Sequence, residues 1–581
     1  MSTAARPQPR LSWHVDLGDD LLAAAVHRLR GALGVDAGDA PVPTSDPRAQ
    51  GPAAGAPGGA EVTAVVVFTD RPSSPALVEH LLGLGTAVVL AGPTLHADTR
   101  GAWRDATGVR TTSATPVHDV RVRVGPAAGA LGDRLPDHDH GTGAHLGEHV
   151  HVCDRVLLTD QVDDDVAVLL TASVGLTHHP VLVRRGTRRA ASVLACTLGT
   201  TPAAVAAPAT RRLLAVLLAH LAAEGGPGGP GGLPTVRAGL LGYGAIGNEH
   251  SSAFRAVSGL SLELVCDRSP ARVVAAQEVA PGVRTTTDPE VLIEDPDVDL
   301  VVVSTPPDSH ASWALKALRA GKHVVVEKPF AIRTEEADAV LAEADAQGLL
   351  AVVYQNRRWD PDHLAVLEAV TTGRLGEVFH LETFVGGYGH PCNLWHSDAA
   401  ASGGAFYDWG AHVLDQVLDL VRTPVLHVSA TTHKRRWFDV TNADHSRVLV
   451  RFTDGSEAEF VHSDLAAVLK PRWYVLGTEA AVVGHWRVER VIGRNDVGTL
   501  AEDVLAAADS PPLLELHGGD GSVTRLATPS AAPHPFHREL ADHLLLGLPM
   551  SVTGATSRRV LSVMEAATAS ALTDGSPVVP R

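Results

Sequence analysis

Cysteine is scarce in this chain, with four residues in 581, at positions 153, 196, 266 and 392, and no Cys-x-x-Cys pair. Such wide spacing excludes a disulfide framework and a zinc ribbon, and it fits reduced thiols in a cytoplasm. Long apolar runs are missing as well: no stretch of 18 apolar residues occurs, so no membrane span is expected. The N-terminus, Met-Ser-Thr-Ala-Ala-Arg-Pro, has no basic segment leading into an apolar core, so no secretion signal is expected either. Basic residues are in the minority, 48 Lys and Arg against 66 Asp and Glu, and the formal net charge of -18 argues against nucleic acid as a partner.

Glycine and proline, by contrast, are plentiful and concentrated. Gly225-Gly-Pro-Gly-Gly-Pro-Gly-Gly-Leu-Pro234 denies both helix and ladder hydrogen bonding and reads as a linker between residues 1–224 and a second protein that begins at 235. Upstream, Ala64 to Phe68 and Ala87 to Ala91 read as buried strands around a helical Ser74 to Leu84, and residues 40 to 60 as a Pro/Ala/Gly-rich loop. Downstream, the strand-like runs Leu262 to Cys266, Leu300 to Ser304, His323 to Val326 and Leu349 to Tyr354 alternate with helical stretches at 311–320 and 335–346. This alternation predicts a doubly wound parallel sheet over 235–357. Beyond 357, Ser446 to Phe452 and Glu457 to His462 flank an Asp454-Gly455 turn, which predicts an antiparallel hairpin in an α+β domain over 358–581.

The densest information lies in Gly242-Tyr243-Gly244-Ala245-Ile246-Gly247, a Gly-x-Gly-x-x-Gly turn between a strand pattern and a helical one. Gly242 allows the tight turn, Gly244 lets a pyrophosphate approach the backbone, and Gly247 lets the helix pack on its strand. Asp267, 20 residues after Gly247, is placed to bind a ribose 2′-hydroxyl and favours NAD, while Arg268 and Arg272 keep NADP open. Thr305 and Pro306, with His310 just beyond, border the nicotinamide half if they do more than end a strand.

Glu327-Lys328-Pro329 closes the next strand on the edge where open α/β sheets gather ligands, so the Lys328 ammonium can hydrogen-bond a reacting oxygen. In Ser402-Gly-Gly-Ala-Phe-Tyr-Asp408-Trp-Gly-Ala-His412-Val-Leu-Asp415, helical spacing puts Asp408, His412 and Asp415 on one face. His412 is then a proton acceptor oriented by a carboxylate one turn away, unless the group is a surface ion pair.

These three motifs, in this order, resemble the Gfo/Idh/MocA family of sugar and cyclitol dehydrogenases over residues 235–581. The resemblance implies a Rossmann domain, a C-terminal domain whose open sheet often mediates oligomerisation, and NAD(P)-dependent oxidation of a secondary hydroxyl or reduction of a ketone. It implies Lys328 as the catalytic lysine, Asp408 as its acidic partner and His412 as the general acid/base. Phe406-Tyr407 and Trp409 depart from the usual pattern. The loop holding His390, Cys392, Trp395, His396 and Asp398 is read as pocket lining for a polyol, with a structural loop or a metal site as the alternatives; Arg357 and Trp359 join the substrate-binding candidates.

Residues 60–222 resemble ThuA-like trehalose-utilisation domains, on His179-His-Pro-Val-Leu-Val-Arg-Arg, Ala195-Cys196-Thr-Leu-Gly199 and Arg211-Arg-Leu-Leu. That resemblance implies a glutamine-amidotransferase-like α/β fold. Cys196 lacks the flanking glycines of a nucleophile elbow, and the histidines at 138, 140, 145, 149 and 151 read as a solvated loop. The expectation is a cytoplasmic, homo-oligomeric NAD(P)-dependent sugar oxidoreductase with a fused domain of the same pathway and no resident metal. The competing classes are a bifunctional keto-sugar enzyme and a non-catalytic NAD(H) sensor.

Overall fold

The computed structural model describes residues 235–581 apart from 258, 392–394, 487–489, 495–499, 505–511, 529–533 and 547; before 235 it describes mainly the backbone of strand segments. The chain divides into two bodies, residues 1–235 with 539–549 and residues 236–538 with 550–581. In the first, Ala64–Thr69 and Ala87–Leu90 are strands paired in parallel within a mixed eight-stranded sheet. The expected helix at 74–84, the 40–60 segment, His138, His140, His145 and the 225–234 linker lie outside the described residues, so the ThuA-like reading lies largely outside them too.

The second body opens with strands β1 (Val236–Leu241), β2 (Leu260–Cys266), β3 (Arg284–Thr286), β4 (Leu300–Val303), β5 (His323–Glu327) and β6 (Ala351–Tyr354). They form one parallel sheet in the order 3-2-1-4-5-6. Helices α1 (Ala245–Ala256), α2 (Pro270–Val279), α3 (Pro289–Glu294), α4 (His310–Arg319) and α5 (Thr334–Gln347) alternate with the strands. Helices on both faces bury the central strand β4 twice over, which is why Leu300-Val-Val-Val303 is continuously apolar and wholly inaccessible rather than alternating. Strand order reverses between β1 and β4, and the crevice at their C-terminal ends is where such sheets bind ligands.

After α6 (Pro361–Thr371) comes the second sheet: β7 (Val378–Gly386), β8 (Val425–His433), β9 (His445–Phe452), β10 (Glu457–Ser463), β11 (Trp473–Gly477), β12 (Ala480–His485), β13 (Leu513–Gly518) and β14 (Val523–Arg525). Its order is 8-9-10-7-11-12-13-14, and every neighbouring pair is antiparallel except β7 with β10. β9 and β10 are the expected hairpin. Along β9, Ser446, Val448, Val450 and Phe452 are buried while the residues between them are not, the period-two pattern of a sheet with one covered face. Helices α7 (Trp409–Leu420) and α8 (Gly554–Leu572) supply the cover, joining Leu414, Val417, Val560 and Leu561 to Phe452, Phe460 and Trp473 in one core. Among the described residues no helix is long and apolar enough to cross a membrane.

α7 is anchored by a buried bidentate pair, with Arg358 Nε and Nη2 donating to Asp415 Oδ2 and Oδ1 at 2.7 and 2.5 Å. Breaking a buried pair strands the remaining charge. Asp415→Ala is therefore expected to cost up to about 3–5 kcal/mol in urea unfolding, less whatever the remaining Arg358–Asp419 pair at 3.1 Å retains, whereas an exposed pair such as Arg333–Glu336 would cost little when broken.

Candidate active site

The glycine turn is built as its sequence requires. Gly242 has φ +99°, and a Cβ there would lie 2.4 Å from the Ser304 carbonyl oxygen, so only glycine fits between β1 and β4. A Cβ at Gly244 would meet nothing within 4 Å, so this position opens onto free space. Gly244 caps α1 without a side-chain hydrogen bond, and no acidic residue occupies the first turn. The result is a set of outward-facing amide groups at a helix N-terminus beside an open cradle, which suits a pyrophosphate.

Asp267 sits at the end of β2 as expected, but it is only 5% exposed, and its carboxylate is turned toward the turn itself. Oδ2 accepts from the Tyr243 amide and Oδ1 from the Ser269 amide, both at 2.8 Å, and Arg272 lies 3.5 Å away. Asp267 thus holds the glycine turn in shape, and a ribose hydroxyl could use only its remaining lone pairs. Tyr243 is buried, with its phenol toward Asn248, so it offers a cofactor its backbone position rather than its ring. Ala245 and Arg268 are exposed, and Ile246 is half-buried.

Two of the expected cofactor contacts have their side chains turned into the interior. His310 is 1% exposed, and both ring nitrogens meet carbonyl oxygens, Nδ1 with Pro329 at 2.8 Å and Nε2 with Thr305 at 2.7 Å. It ties the Thr305-Pro306 turn to the Lys328-Pro329 turn and faces no cleft. Glu327 is likewise buried, its Oε1 2.8 Å from His250 Nε2 and its Oε2 accepting from the Lys328 amide at 3.2 Å. Thr305 Oγ1 bonds to Ser309 Oγ at 2.7 Å.

Lys328, on a cis Lys-Pro bond just past β5, reaches across to the second domain fold, where its Nζ donates to Asp408 Oδ1 at 2.7 Å. Burial raises the Asp408 carboxyl, but the Lys328 ammonium outweighs it, with His396 and His462 adding to the pull, and the group lies below its ordinary range. Asp408 is the N-cap residue of α7, reached through Gly403 and Gly404, whose φ angles of +90° and +109° make the turn. The Gly-Gly pair thus serves backbone conformation first. Phe406 enters the core, and the Tyr407 hydroxyl donates to the Ile332 carbonyl at 2.8 Å, bracing the lysine loop against α7.

His412 follows on α7, 7% exposed, with a buried Nδ1 that has no hydrogen-bond partner. Among the described residues no carboxylate orients it. Asp408 is engaged by Lys328 and Asp415 by Arg358, so the expected shared face of three residues is corrected to three separate environments. Burial first, then the charges of Lys328, Arg357 and Arg472, push the His412 pKa well below its ordinary value. The ring is neutral at pH 7 and free to accept a proton, although burial and the nearby cations weaken it as a base. A base with a depressed pKa loses function only as pH falls through that lowered value. Oxidation measured as kcat/KM is therefore expected to stay level as pH drops through about 6.5 and to fall only in more acid buffer. Arg357→Gln, by removing one repelling charge, should move that acid limb to higher pH.

Around this centre, Arg357 stacks over the Trp409 ring at 4.8 Å, and Trp409 meets His412 edge to face at 6.0 Å. His396 stacks on Trp395 at 3.7 Å; burial lowers its pKa, Asp408 opposes that shift and Lys328 adds to it. Two substrate candidates are drawn elsewhere. His390 pairs with Asp439 at 2.8 Å and packs on Trp437, and Trp359 packs edge to face on Phe536. Cys392 lies outside the described residues.

Sequence reasoning missed three polar neighbours. Gln355 donates to the Ala411 carbonyl at 3.2 Å, and Gln416 donates to the Arg357 carbonyl at 2.6 Å while accepting from buried Arg472 at 2.7 Å. His462 on β10 acts on Asp408 electrostatically. None belongs to a motif. The signal that could have found the glutamines is a polar side chain amid apolar helix or strand neighbours, which must find a partner.

Comparison with known proteins follows the same division. Residues 236–355 match the Gfo/Idh/MocA oxidoreductase family model, described as an NAD-binding Rossmann fold, and residues 363–483 match the family's C-terminal domain. The scyllo-inositol 2-dehydrogenase (NADP(+)) IolW of Bacillus subtilis is 25% identical over 346 residues, 57% of this chain and 93% of that protein. The inositol 2-dehydrogenase of Rhizobium meliloti is 33% identical over 268 residues, 43% of this chain and 76% of that one. The chain spans only about half the length of some other curated relatives, 49% and 55% for two of them. Among solved structures, an NAD-binding protein from Listeria innocua superposes with a TM-score of 0.50 at 29% identity, covering 59% of this chain and 97% of that one. Matched in both of the family's domains and over most of an inositol dehydrogenase's length, the chain belongs to the Gfo/Idh/MocA family of oxidoreductases.

Proposed function

We propose that this protein is an NAD(P)-dependent dehydrogenase that interconverts a secondary hydroxyl and a ketone on a sugar, glycoside or cyclitol. The observation that carries the reading is the Lys328–Asp408 ion pair at 2.7 Å on the ligand edge of the Rossmann sheet, with an electrostatically neutral His412 one turn further along α7. A bound nicotinamide would supply the hydride acceptor or donor; the chain's residues handle the proton and the oxygen. His412 takes the hydroxyl proton, Lys328 donates a hydrogen bond to the same oxygen as negative charge develops, and Asp408 keeps the ammonium in place. Arg357, Trp395, His396 and Trp409 surround the polyol, with indole faces for the ring and polar tips for its hydroxyls. The substrate class also draws support from the relatives' names, an inositol dehydrogenase and a scyllo-inositol dehydrogenase.

The cofactor is NAD in preference to NADP, because the Asp267 carboxylate repels a 2′-phosphate, although Arg272 offsets part of that charge. Residues 235–357 serve as the dinucleotide domain and 358–581 as the substrate domain, the open sheet pairing copies of a cytoplasmic homo-oligomer. A ThuA-like domain over 1–224 would act in the same carbohydrate pathway, a reading that rests on sequence resemblance alone. The test is reduction of NAD+ and NADP+ at 340 nm with a panel of inositols and glycosides. Turnover with at least one polyol supports the reading, and no turnover in either direction with either cofactor overturns it.

A further inference from the structure

One buried polar chain has no part in the chemistry above. His250, in the second turn of α1, is wholly inaccessible. Its Nε2 lies 2.8 Å from Glu327 Oε1, and its Nδ1 lies 2.9 Å from Nε2 of His537, itself 1% exposed and in the helix that begins at Pro535. The other Glu327 oxygen accepts from the amide of Lys328. Rings close the group off from water: Tyr354 lies 4.4 Å from His250 and 5.2 Å from His537, and Phe254 lies 5.3 Å from His537.

The protons in this chain can be assigned. A carboxylate only accepts, so His250 Nε2 carries hydrogen. A neutral His250 then accepts at Nδ1 from His537 Nε2–H, which leaves His537 Nδ1 as a bare lone pair. That agrees with this atom being buried without a partner. A doubly protonated His250 would instead force a hydrogen onto His537 Nδ1, which has no acceptor among the described residues, a costlier state. Burial, reinforced by His250 and His534, pushes the His537 pKa well below its ordinary value, so this ring is neutral in either arrangement.

One carboxylate therefore grips both the amide of the working lysine and the helix that starts at the glycine turn. We propose that Glu327, His250 and His537 form a positioning relay that sets Lys328 against the dinucleotide-binding end of α1. None of the three touches the reacting atoms. Their work is to fix where the chain leaves β5, and hence how the ammonium lines up with a cofactor held at the N-terminus of α1. The inference rests on the reading of Lys328 given under Proposed function.

The test uses the full chain and compares wild type with His250→Phe, His250→Gln and Lys328→Met, with polyol KM, kcat and NADH affinity by fluorescence as readouts. His250→Phe keeps the ring volume and removes both hydrogen bonds. It is expected to lower kcat roughly 10- to 100-fold, the size of effect seen when an outer hydrogen-bond partner of a working group is lost, with polyol KM unchanged. His250→Gln, whose amide N–H reaches the Nε2 position, should recover most of that loss. Glu327→Asp, which withdraws the carboxylate by one methylene, should give the same split and serves if His250→Phe does not fold. The relay is overturned if folded His250→Phe or Glu327→Asp keeps wild-type kcat, or if His250→Gln is no better than His250→Phe. A Lys328→Met variant with wild-type kcat overturns instead the role of the lysine, and with it the basis of the relay.

Discussion

Replacing His412 by Ala is expected to lower kcat by about 10²- to 10⁴-fold, the contribution of a positioned general base, while dinucleotide affinity stays unchanged. The reasoning is local. His412 belongs to α7, not to the glycine turn, and its Nδ1 makes no hydrogen bond whose loss would propagate. The change leaves a cavity beside Trp409, so stability falls as well, and kcat is to be compared below the onset of unfolding. Stopped-flow NADH formation and fluorescence titration of NADH separate the two effects. Equal losses in turnover and in NADH affinity would show that His412 supports the cofactor rather than the proton.

Lys328→Met should act on a different quantity. It preserves most of the side chain's volume and removes the ammonium that donates to Asp408 at 2.7 Å. Removing one charged donor from a developing oxyanion costs about 10²- to 10³-fold in kcat. Removal of the positive charge also unbalances Asp408, because burial then pulls its carboxyl upward with only the weaker histidine charges opposing. The variant's pH profile should therefore differ in shape from that of wild type, as well as in height. The His412 pKa is expected to rise as well, because the lost ammonium relieves part of the electrostatic push that keeps the ring neutral.

Much of this architecture was legible because it is written in local patterns. The alternation of apolar strands with helices determines the parallel sheet, Gly242 announces the turn through a φ that only glycine tolerates well, and Asp454-Gly455 marks the β9–β10 hairpin. The pairings that make the site work are not local. Lys328 and Asp408 lie 80 residues apart and Arg358 and Asp415 lie 57 apart, so no periodicity reports either one. Helical spacing placed Asp408, His412 and Asp415 on one face, yet Asp408 is the cap, with φ −82° and ψ −85°, and its side chain turns toward the lysine. His310 and Glu327 sat correctly at the ends of their elements, but a strand-end position does not say whether a side chain faces the cleft or the interior. Here burial decides, and both point inward.

The most direct test of the central claim follows the hydrogen itself. A polyol that turns over, deuterated at the carbon bearing the reactive hydroxyl, is incubated with NAD+ and the enzyme, and the nucleotide product is examined by mass spectrometry. The account predicts one deuterium per reduced nicotinamide together with a primary isotope effect on the chemical step, and a rate of deuterated-nucleotide formation lowered about 10²- to 10⁴-fold in His412→Ala and about 10²- to 10³-fold in Lys328→Met. Reduced cofactor without deuterium, or transfer at the wild-type rate in either variant, would contradict it.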